Sequence, residues 1–431
     1  MGGEGTVGCW IVTIGDELIN GQRVDTNTNW LAGRLAEIGI GVSRAVSVGD
    51  DESAIQVVLS EALEEADVVI LSGGLGPTQD DRTKQALASY FEVGMYRDAA
   101  MDEAVRGFFE ERGREASQVN LDQALVPEGF ECRTNRRGTA PGLLKRIAGK
   151  LLFAVPGVPG EMKGLYEDWI GPLLNEAYQG RWYVERRWYR TTGIGESDLF
   201  NMIGGLEEMA PAVTISYLPS PYGTGVYLTG QGRSRGDVSE ALDEAERRIL
   251  AESGDYLYAV GDLSLHEHVA ELLSSAGETL ATAESCTGGL IAHTLTNVAG
   301  ASEWFLQGWV VYSNRAKEEE LGVPSELIER HGAVSEEVAA AMAEGALERA
   351  DSDWAVAVTG IAGPGGGTEE KPVGLTYVAC AGGGETVVRR YMLGKTGRLY
   401  IKQRSLANAL DLLRRRVRGL DPSRGGWETP R

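Results

Sequence analysis

A serine-centred turn between two regular segments is the first place where the sequence suggests chemistry. An alternating apolar run at 279–283 predicts a strand, and the apolar spacing after the turn predicts a helix. The turn, 284–289, reads Glu-Ser-Cys-Thr-Gly-Gly and places Ser285 at a helix N-terminus, where backbone amides and the helix dipole favour negative charge. Ser285 is therefore a candidate nucleophile, with the amides near Gly288 and Gly289 holding the oxyanion of an acyl-transfer intermediate.

Two other interpretations of this turn remain open at the level of sequence. Ser285 and Thr287 have side chains that commonly cap helices, and strand–serine–helix junctions are frequent in proteins. Cys286 is a rival nucleophile, because a thiolate attacks more readily than a hydroxyl. The sequence offers no obvious His–Asn or His–Asp partner set for a thiol, which favours a packing role for Cys286.

A second strand is expected to bring a base to the same place. Residues 304–312 are rich in aromatic and β-branched types, and the turn Tyr-Ser-Asn-Arg-Ala-Lys follows directly. The carboxyl ends of parallel strands lie at one edge of a sheet, so Ser285, Tyr312 and Lys317 are expected close together. A buried lysine loses its proton more easily and can act as the base toward a serine.

A third strand, 353–358, ends in the glycine-rich loop 359–368 on the same predicted edge. Contact with a phosphate or a ribose is the favoured interpretation, and a mobile connector is the alternative. Lys395 and Arg398 precede a long amphipathic helix, and either can pair with a phosphate, although the guanidinium fork can donate two bonds. The residues predicted to bind the ligand are Thr287, Gly288, Gly289, Thr359, Gly360, Gly363 and Arg398.

The N-terminal half contains a different constellation. The buried strand 68–71 runs into Ser-Gly-Gly-Leu-Gly-Pro-Thr-Gln-Asp-Asp (72–81), and a further carboxylate pair follows the first predicted strand. Glycines let a backbone approach a phosphate, and paired carboxylates can hold a divalent cation that bridges phosphate oxygens; an ordinary helix entry is the alternative. The predicted phosphate contacts are Gly73, Gly74, Gly76 and Thr78, and the predicted metal ligands are Asp80, Asp81, Asp16 and Glu17.

The composition limits the classes of partner. The 431 residues include 41 basic and 63 acidic side chains, a formal net charge of −22, which argues against nonspecific binding to nucleic acid or membranes. Four widely spaced cysteines without a C-x-x-C pair predict neither a disulfide framework nor a zinc site. Since no signal peptide or 18-residue apolar run is recognised, the expected location is the cytoplasm.

The C-terminal motifs resemble a known domain. TAESCTGG, VVYSNRAK, GAVSEEVAAAMAEGA, VTGIAGPGGGTEEKPVG and a late Gly-Lys-Thr-Gly-Arg occur in the order found in the nicotinamide-nucleotide amidase domain of the CinA (competence/damage-inducible protein) family. The resemblance covers about 262–418. It implies Ser285 as nucleophile, assisted by Tyr312 and Lys317, with no cofactor. The chain departs from the family where Gly-Asp-Arg is usual, and Arg315 stands where an acid is common.

The N-terminal motifs resemble the molybdopterin-binding-like domain of the same family. IGDELINGQRVDTNTNWLAGRLAEIG, SGGLGPTQDDRT, NRRGTAPG and VPGVPGEM lie in order within about 8–175. In several family members this domain hydrolyses ADP-ribose with a divalent metal ion such as Mg²⁺. By this resemblance the pocket wall includes Asn135, Gly138, Pro141 and Gly142.

The expected fold class is α/β throughout. It comprises a three-layer parallel-sheet domain at 8–175, a small α+β linker module at 176–258, an α/β deamidase domain at 262–418 and a disordered tail at 419–431.

The function implied by the resemblance is hydrolysis in pyridine-nucleotide metabolism. Nicotinamide mononucleotide and ADP-ribose are the expected small-molecule partners, in a homodimer that contacts neither membrane nor nucleic acid directly. The alternatives are a non-catalytic nucleotide-binding regulator linked to competence or recombination, and a molybdopterin adenylyltransferase-like N-terminal domain.

Overall fold

The protein was described from a computed structural model that covers residues 7–78, 80–178, 183–205 and 212–426. The chain divides into two compact units, 1–185 with 231–239 and 186–230 with 240–431. Most of the middle module therefore belongs to the same compact unit as the C-terminal domain. The predicted α/β class is confirmed.

A six-stranded sheet organises the N-terminal domain, in the order β2-β1-β3-β8-β7-β6. The first four of these strands are parallel, as predicted, while β7 and β6 are antiparallel additions at one edge. A short β4-β5 pair lies outside this sheet. The strands are β1 (Gly8–Ile14), β2 (Gly41–Val48), β3 (Val68–Ser72), β4 (Met95–Arg97), β5 (Leu125–Pro127), β6 (Glu131–Arg133), β7 (Gly142–Ile147) and β8 (Lys150–Val155).

Helices cover both faces of this sheet because successive residues of its buried strands point to opposite sides. Trp10 of β1 packs in one apolar cluster with Ile55, whereas Ile11 packs in another with Leu31. The three-layer arrangement follows from these two cores. The helices are α1 (Asp16–Ile19), α2 (Thr26–Glu37), α3 (Glu52–Glu65), α4 (Thr83–Tyr90), α5 (Ala99–Glu110), α6 (Gln118–Leu121), α7 (Pro159–Leu165) and α8 (Gly171–Tyr178).

The middle module is a four-stranded sheet in the order β10-β11-β9-β12, and its described residues, 183–205 and 212–260, include two α-helices. Strand pairs β10-β11 and β9-β12 are antiparallel, which agrees with the predicted α+β character. Its elements are β9 (Tyr183–Thr191), α9 (Glu196–Ile203), β10 (Val213–Ser220), β11 (Gly223–Gly232), α10 (Arg235–Ser253) and β12 (Leu257–Val260).

The C-terminal domain is built on a five-stranded sheet in the order β14-β13-β15-β16-β17. Strands β14, β13 and β15 are parallel, and β16 and β17 continue antiparallel. Leu280 and Ala281, successive residues of β13, enter separate cores on the two faces. The strands are β13 (Leu280–Glu284), β14 (Phe305–Val310), β15 (Trp354–Gly360), β16 (Leu375–Gly382) and β17 (Glu385–Met392).

The helices of this domain include the long amphipathic one predicted near the C-terminus. They are α11 (Leu265–Ala276), α12 (Leu290–Leu295), α13 (Asn314–Leu321), α14 (Ser325–His331), α15 (Glu336–Ala350) and α16 (Arg398–Val417). Within the residues described, none of the helices in either unit is long and apolar enough to cross a membrane.

Residues 419–426 depart from the disorder that was predicted for 419–431. Arg389 of β17 donates hydrogen bonds to the carbonyl oxygens of Pro422, Arg424 and Gly425. Arg415 donates to the carbonyl of Asp421 at 3.2 Å. The prediction was wrong for the segment up to residue 426, because one strand arginine satisfies several tail carbonyls; residues 427–431 lie outside the described part.

Candidate active sites

Ser285 and Lys317 form a buried pair at the carboxyl edge of the C-terminal sheet. Ser285 directly follows β13, and its backbone N–H donates to the carbonyl of Val358 in β15 at 2.9 Å. Lys317 lies on α13, whose N-terminus is capped by Ser313. The lysine Nζ donates to Ser285 Oγ at 3.2 Å and to the Val311 carbonyl at 2.9 Å. The structure places Ser285 and Lys317 in contact, as the sequence predicted.

The environment of Lys317 suits a proton acceptor. The residue is 1% exposed, and burial lowers the pKa of its amine, with a smaller opposing effect from Cys286. A lysine that loses its proton more readily can remove the hydroxyl proton of Ser285. The pair therefore has the geometry of a serine nucleophile with a lysine base.

Tyr312 and Arg398 form a second pair at the same edge. Arg398 Nη2 donates to the Tyr312 hydroxyl at 2.8 Å, and Nη1 donates to the Gly363 carbonyl at 2.8 Å. Tyr312 thus contacts Arg398, and no hydrogen bond joins it to Lys317 among the described residues. Lys395 is exposed on the approach to α16. Of the two basic candidates, Arg398 is the one connected to the predicted ligand loop.

Glu284, which the sequence analysis did not single out, caps helix α12. Its carboxylate accepts hydrogen bonds from the backbone amides of Gly289 (3.0 Å), Ile291 (3.1 Å) and Ala292 (2.8 Å). Ser285 makes no capping hydrogen bond to this helix. The helix-cap interpretation of Ser285 and Thr287 is therefore wrong, because the preceding carboxylate satisfies the free amides.

The same contacts correct the predicted oxyanion hole. The Gly289 amide donates to Glu284, and the Gly288 amide donates to the Ser285 carbonyl at 3.1 Å. Both amides are therefore occupied within the turn and do not point at a free position. Thr287 is fully buried, and its hydroxyl has no hydrogen-bond partner within the described part of the chain.

Glu284→Gln should destabilise the folded C-terminal domain. The substitution removes a buried charge that three amides stabilise and turns an amide donor toward them. We expect the free energy of unfolding to fall by about 1.5–3 kcal/mol. Chemical denaturation measures the change, with the exposed Glu271→Gln on α11 as control. Equal stability of both variants would contradict the capping role.

Only part of the glycine-rich loop after β15 contacts other residues of the candidate site. Thr359 is 1% exposed, and its hydroxyl donates to the Ala333 carbonyl at 2.7 Å. A Cβ on Gly360 would lie 2.5 Å from Thr376 Cγ2, so this glycine is required by packing on β16. Gly363 alone of the three predicted loop residues contacts Arg398. Thr359 and Gly360 are explained by their hydrogen bonding and packing within the domain.

Cys286 is enclosed beside the turn. Burial raises the pKa of its thiol to about 12, with smaller opposing effects from the cations of Lys402 and Arg398. A thiol with so high a pKa is not a nucleophile at neutral pH. The structure thus supports the packing role predicted for Cys286.

The N-terminal domain has its own cavity, of about 310 Å³, at the carboxyl edge of the parallel strands. The glycine loop lines it, and Gly73 must be a glycine because a Cβ there would lie 2.1 Å from the Ile14 carbonyl oxygen. Glu17, Asp50 and Asp80 line the same cavity. Burial, together with Asp16, Glu17 and Asp80 as acidic neighbours, raises the pKa of Asp50.

The predicted metal quartet is not assembled. Among the residues described, no group of three or more carboxylate, histidine or cysteine side chains could hold a metal ion. Asp81 instead shapes the loop, because its carboxylate accepts from the Gly76 amide (2.8 Å) and from the Thr78 amide (2.8 Å) and hydroxyl (2.5 Å). Both of its oxygens accept loop donors, which gives Asp81 a structural role, and its inclusion among the metal ligands stays a prediction.

Asp50 is the carboxylate that sequence reasoning missed. Asp50 follows β2 and lines the cavity, so a third parallel strand is followed by an acidic residue at the site. Its position after a strand was the feature of the sequence that could have identified it. Asp16 is tied to it by reciprocal bonds, with the Asp16 amide donating to Asp50 at 2.9 Å and the Asp50 amide donating to Asp16 at 3.2 Å. Oxygen donors of this type suit Mg²⁺ and similar hard cations.

Asn135 and Gly138 contact Glu161, one of the residues that line the cavity. The Asn135 side chain donates to the Glu161 carbonyl at 3.4 Å and accepts from the Arg137 amide at 2.9 Å. A Cβ on Gly138 would lie 1.8 Å from the carboxylate of Glu161, which itself lines the cavity. These two predicted binding residues therefore position Glu161.

Three family descriptions match successive parts of the chain. Residues 10–176 match "Probable molybdopterin binding domain", residues 186–259 match "Damage-inducible protein CinA KH domain", and residues 262–417 match "CinA C-terminal domain". The chain is thus of the class that combines a molybdopterin-binding-like domain, a KH module and a CinA C-terminal domain.

Relatives of nearly full length identify the family. A CinA-like protein from Chloroherpeton thalassium is 41% identical over 412 residues, which span 94% of this chain and 98% of the relative. One from Akkermansia muciniphila is 43% identical over 411 residues, 94% and 97% of the two chains. The chain therefore belongs to the CinA family. A solved competence/damage inducible protein from Agrobacterium tumefaciens is 45% identical, covering 35% of this chain and 91% of that one, with a TM-score of 0.34.

Proposed function

We propose that the C-terminal domain deamidates nicotinamide mononucleotide to nicotinate mononucleotide and ammonia. The observation that carries this proposal is the buried Ser285–Lys317 pair, with Oγ and Nζ 3.2 Å apart and a lysine pKa lowered by burial. A carboxamide is a substrate that such a pair can attack. The motif resemblance supplies the choice of nucleotide.

The reaction proceeds through two displacements at the carboxamide carbon. Lys317 takes the Ser285 proton as Oγ bonds to that carbon, and the proton then passes to the nitrogen as the C–N bond breaks and ammonia leaves. A water molecule gives a proton to the same amine and attacks the ester. The Ser285–carbon bond breaks as that proton passes from Lys317 to Oγ, which restores the serine hydroxyl and the neutral amine and releases the carboxylate product.

The test is ammonia release by the purified chain, with nicotinate mononucleotide identified by chromatography. Release of both products in equal amounts supports the deamidase. Absence of ammonia at saturating substrate would favour the alternative of a nucleotide-binding regulator.

We propose a second activity for the N-terminal cavity, the metal-dependent hydrolysis of ADP-ribose to AMP and ribose 5-phosphate. Glu17, Asp50 and Asp80 line this cavity. Among the described residues no three such side chains are grouped as a ligand set, so a cation would be held by fewer protein carboxylates together with the diphosphate, whose charge it would neutralise. The backbone of the glycine loop, at Gly73 and Gly74, faces the same cavity and suits a phosphate. A requirement for a pterin substrate would instead indicate the adenylyltransferase-like alternative.

Asp80→Asn should abolish metal-dependent ADP-ribose cleavage while deamidation continues unchanged. The substitution removes one of the carboxylates that line the cavity and leaves Asp81, which shapes the loop, in place. Release of AMP is measured across a series of divalent metal concentrations. Asp198→Asn on α9, in the middle module, is the matched control. Full cleavage by Asp80→Asn with unaltered metal dependence would remove Asp80 from the site.

A homodimer and a cytoplasmic location stay predictions from the sequence. Mass measurement in solution tests the first.

A further inference from the structure

We propose that a cavity formed jointly by the middle module and the C-terminal domain binds a nucleoside that carries no phosphate. This cavity is separate from the two candidate active sites. The inference therefore does not depend on either of the activities proposed above.

The cavity lies within the second compact unit of the chain. At about 450 Å³ it is larger than the cavity of the N-terminal domain, and it has the size of a protein site for a small molecule. Residues of β9, the β10–β11 turn and β12 line it from the middle module, and residues of α11, α12 and α16 line it from the C-terminal domain. Its described lining does not include Ser285, Lys317 or Arg398.

One side of the cavity is apolar and aromatic. Leu265, Leu406 and Leu410 belong to a core cluster of the C-terminal domain and also line the cavity. Tyr222 and Tyr258 of the middle module pack against this core and line the cavity as well. Tyrosine rings and leucine side chains together form a surface on which a planar aromatic base can stack.

The two tyrosines also bring hydroxyl groups to the cavity. Within the described part of the chain, neither the Tyr222 nor the Tyr258 hydroxyl has a hydrogen-bond partner. Burial raises the pKa of Tyr258 to about 12, so its hydroxyl keeps its proton and can donate at neutral pH. A half-buried hydroxyl without a partner is unfavourable, and a ring nitrogen or carbonyl oxygen of a ligand would relieve that cost.

Asp262 supplies an acceptor for the hydroxyl groups of a sugar. Its carboxylate lines the cavity, and Oδ1 accepts a hydrogen bond from Arg190 Nη2. The other oxygen, Oδ2, accepts no hydrogen bond from the described residues. An ionised carboxylate is an acceptor only, and a carboxylate of this kind binds the ribose hydroxyls in dinucleotide sites.

The charges around the cavity disfavour a phosphate. Arg190 is the one arginine or lysine among the described residues that line it, and this guanidinium is paired with Asp262. Glu267 is a second carboxylate in the lining, and burial lowers the pKa of His266, which keeps its imidazole neutral at pH 7. One guanidinium against two carboxylates leaves a net negative charge, which repels a phosphate dianion.

An aromatic surface, unpaired hydroxyl donors, a carboxylate acceptor and the absence of a spare cation in the described lining together fit a nucleoside. The base would lie on the tyrosine and leucine side, where the phenol groups can donate to its edge. The ribose would lie toward Asp262. Both candidate active sites are proposed to take phosphorylated ligands, so this cavity should differ from them in its preference.

Photolabelling of the full-length chain tests the site with adenosine as the ligand. Under ultraviolet light, 2-azidoadenosine should label peptides that contain 220–225 or 258–267, as located by mass spectrometry. Adenosine should protect these peptides in a concentration-dependent manner, which gives a dissociation constant for this cavity alone. AMP should protect them about 10-fold more weakly, because its phosphate meets the net negative charge.

Tyr258→Phe tests the hydroxyl while the aromatic ring is kept. Protection by adenosine should weaken by about 3- to 10-fold, because one hydrogen bond to the ligand is lost. Tyr96→Phe on β4 of the N-terminal domain is the matched control and should leave the dissociation constant unchanged.

Asp262→Asn separates a ligand contact from a structural role. Protection by adenosine should weaken by about 10-fold, because a charged acceptor for the ribose is lost. AMP should protect better than it does in the wild type, because Arg190 loses its counter-ion. A residue with only a structural role would weaken both ligands alike. Asp198→Asn on α9 is the control and should change neither.

Four outcomes would overturn the proposal. They are a lack of protection by adenosine, label confined to other peptides, equal protection by AMP and adenosine in the wild type, and wild-type protection in a folded Tyr258→Phe. Circular dichroism establishes that each variant is folded. If Tyr258→Phe does not fold, Asp262→Asn, at a side chain that is 66% exposed, decides the matter by the change in preference between adenosine and AMP.

Discussion

Ser285→Ala is expected to lower the rate of ammonia release by roughly 10³- to 10⁶-fold, as loss of a covalent nucleophile does in hydrolases. The Ser285 hydroxyl is the group that Lys317 contacts at 3.2 Å, and alanine leaves the base without a proton to remove. Because Glu284 caps α12, removal of this hydroxyl should cost little stability. Single-turnover ammonia assays and thermal unfolding on the same preparation measure the two effects separately.

Cys286→Ala is the matched control for this experiment. The neighbouring thiol has a pKa raised to about 12 by burial, so its removal should leave ammonia release near the wild-type rate. The serine assignment is lost if Ser285→Ala stays active, or if Cys286→Ala is inactive although folded.

Lys317→Met is expected to be similarly inactive. Methionine keeps much of the volume of the buried side chain and removes the amine that accepts the Ser285 proton. Circular dichroism shows whether the fold is kept, and Lys395→Met controls for loss of a positive charge in the domain. A folded Lys317→Met with substantial ammonia release would require a different base.

The pH profile of the wild-type enzyme gives a second test of Lys317. The amine works as a base only when neutral, so kcat/KM should fall as pH decreases through the lysine pKa. Burial lowers that pKa, which moves this limb below the ordinary value for lysine. A profile that is flat on the acidic side down to the pKa of carboxylates would contradict this role.

The sequence was sufficient to bring Ser285 and Lys317 together, because each follows one of two neighbouring parallel strands. It was not sufficient for Glu284 or for the cavity beside the middle module. Glu284 ends a strand, and the alternation of residues along a strand does not predict that its carboxylate accepts hydrogen bonds from the amides after the next turn. Tyr222 lies in a hairpin turn, and only the packing of that turn on the C-terminal domain places this residue at the cavity.

The N-terminal cavity illustrates a different limit. The glycines of the loop were recognisable in the sequence. The different roles of Asp80 and Asp81 were not, because only the backbone geometry shows that the Asp81 carboxylate accepts hydrogen bonds from the loop. Asp50 could not be predicted in the same way, because the local sequence does not show that the loop after β2 reaches the cavity beside the ends of β1 and β3. The antiparallel β6–β7 hairpin could not be predicted from the local sequence pattern either, because its position in the sheet depends on the pairing of β7 with β8.

Three of the four cysteines, Cys9, Cys286 and Cys380, are buried and Cys132 is half-buried, which makes this protein a convenient host for labelling. Burial raises the pKa of Cys132, Cys286 and Cys380 to about 12, and it raises the pKa of Cys9 as well. Maleimide dyes react with thiolates, so the native cysteines would take up label slowly at neutral pH. A single cysteine introduced at an exposed position such as Asp198 could therefore carry a fluorophore without prior removal of the others.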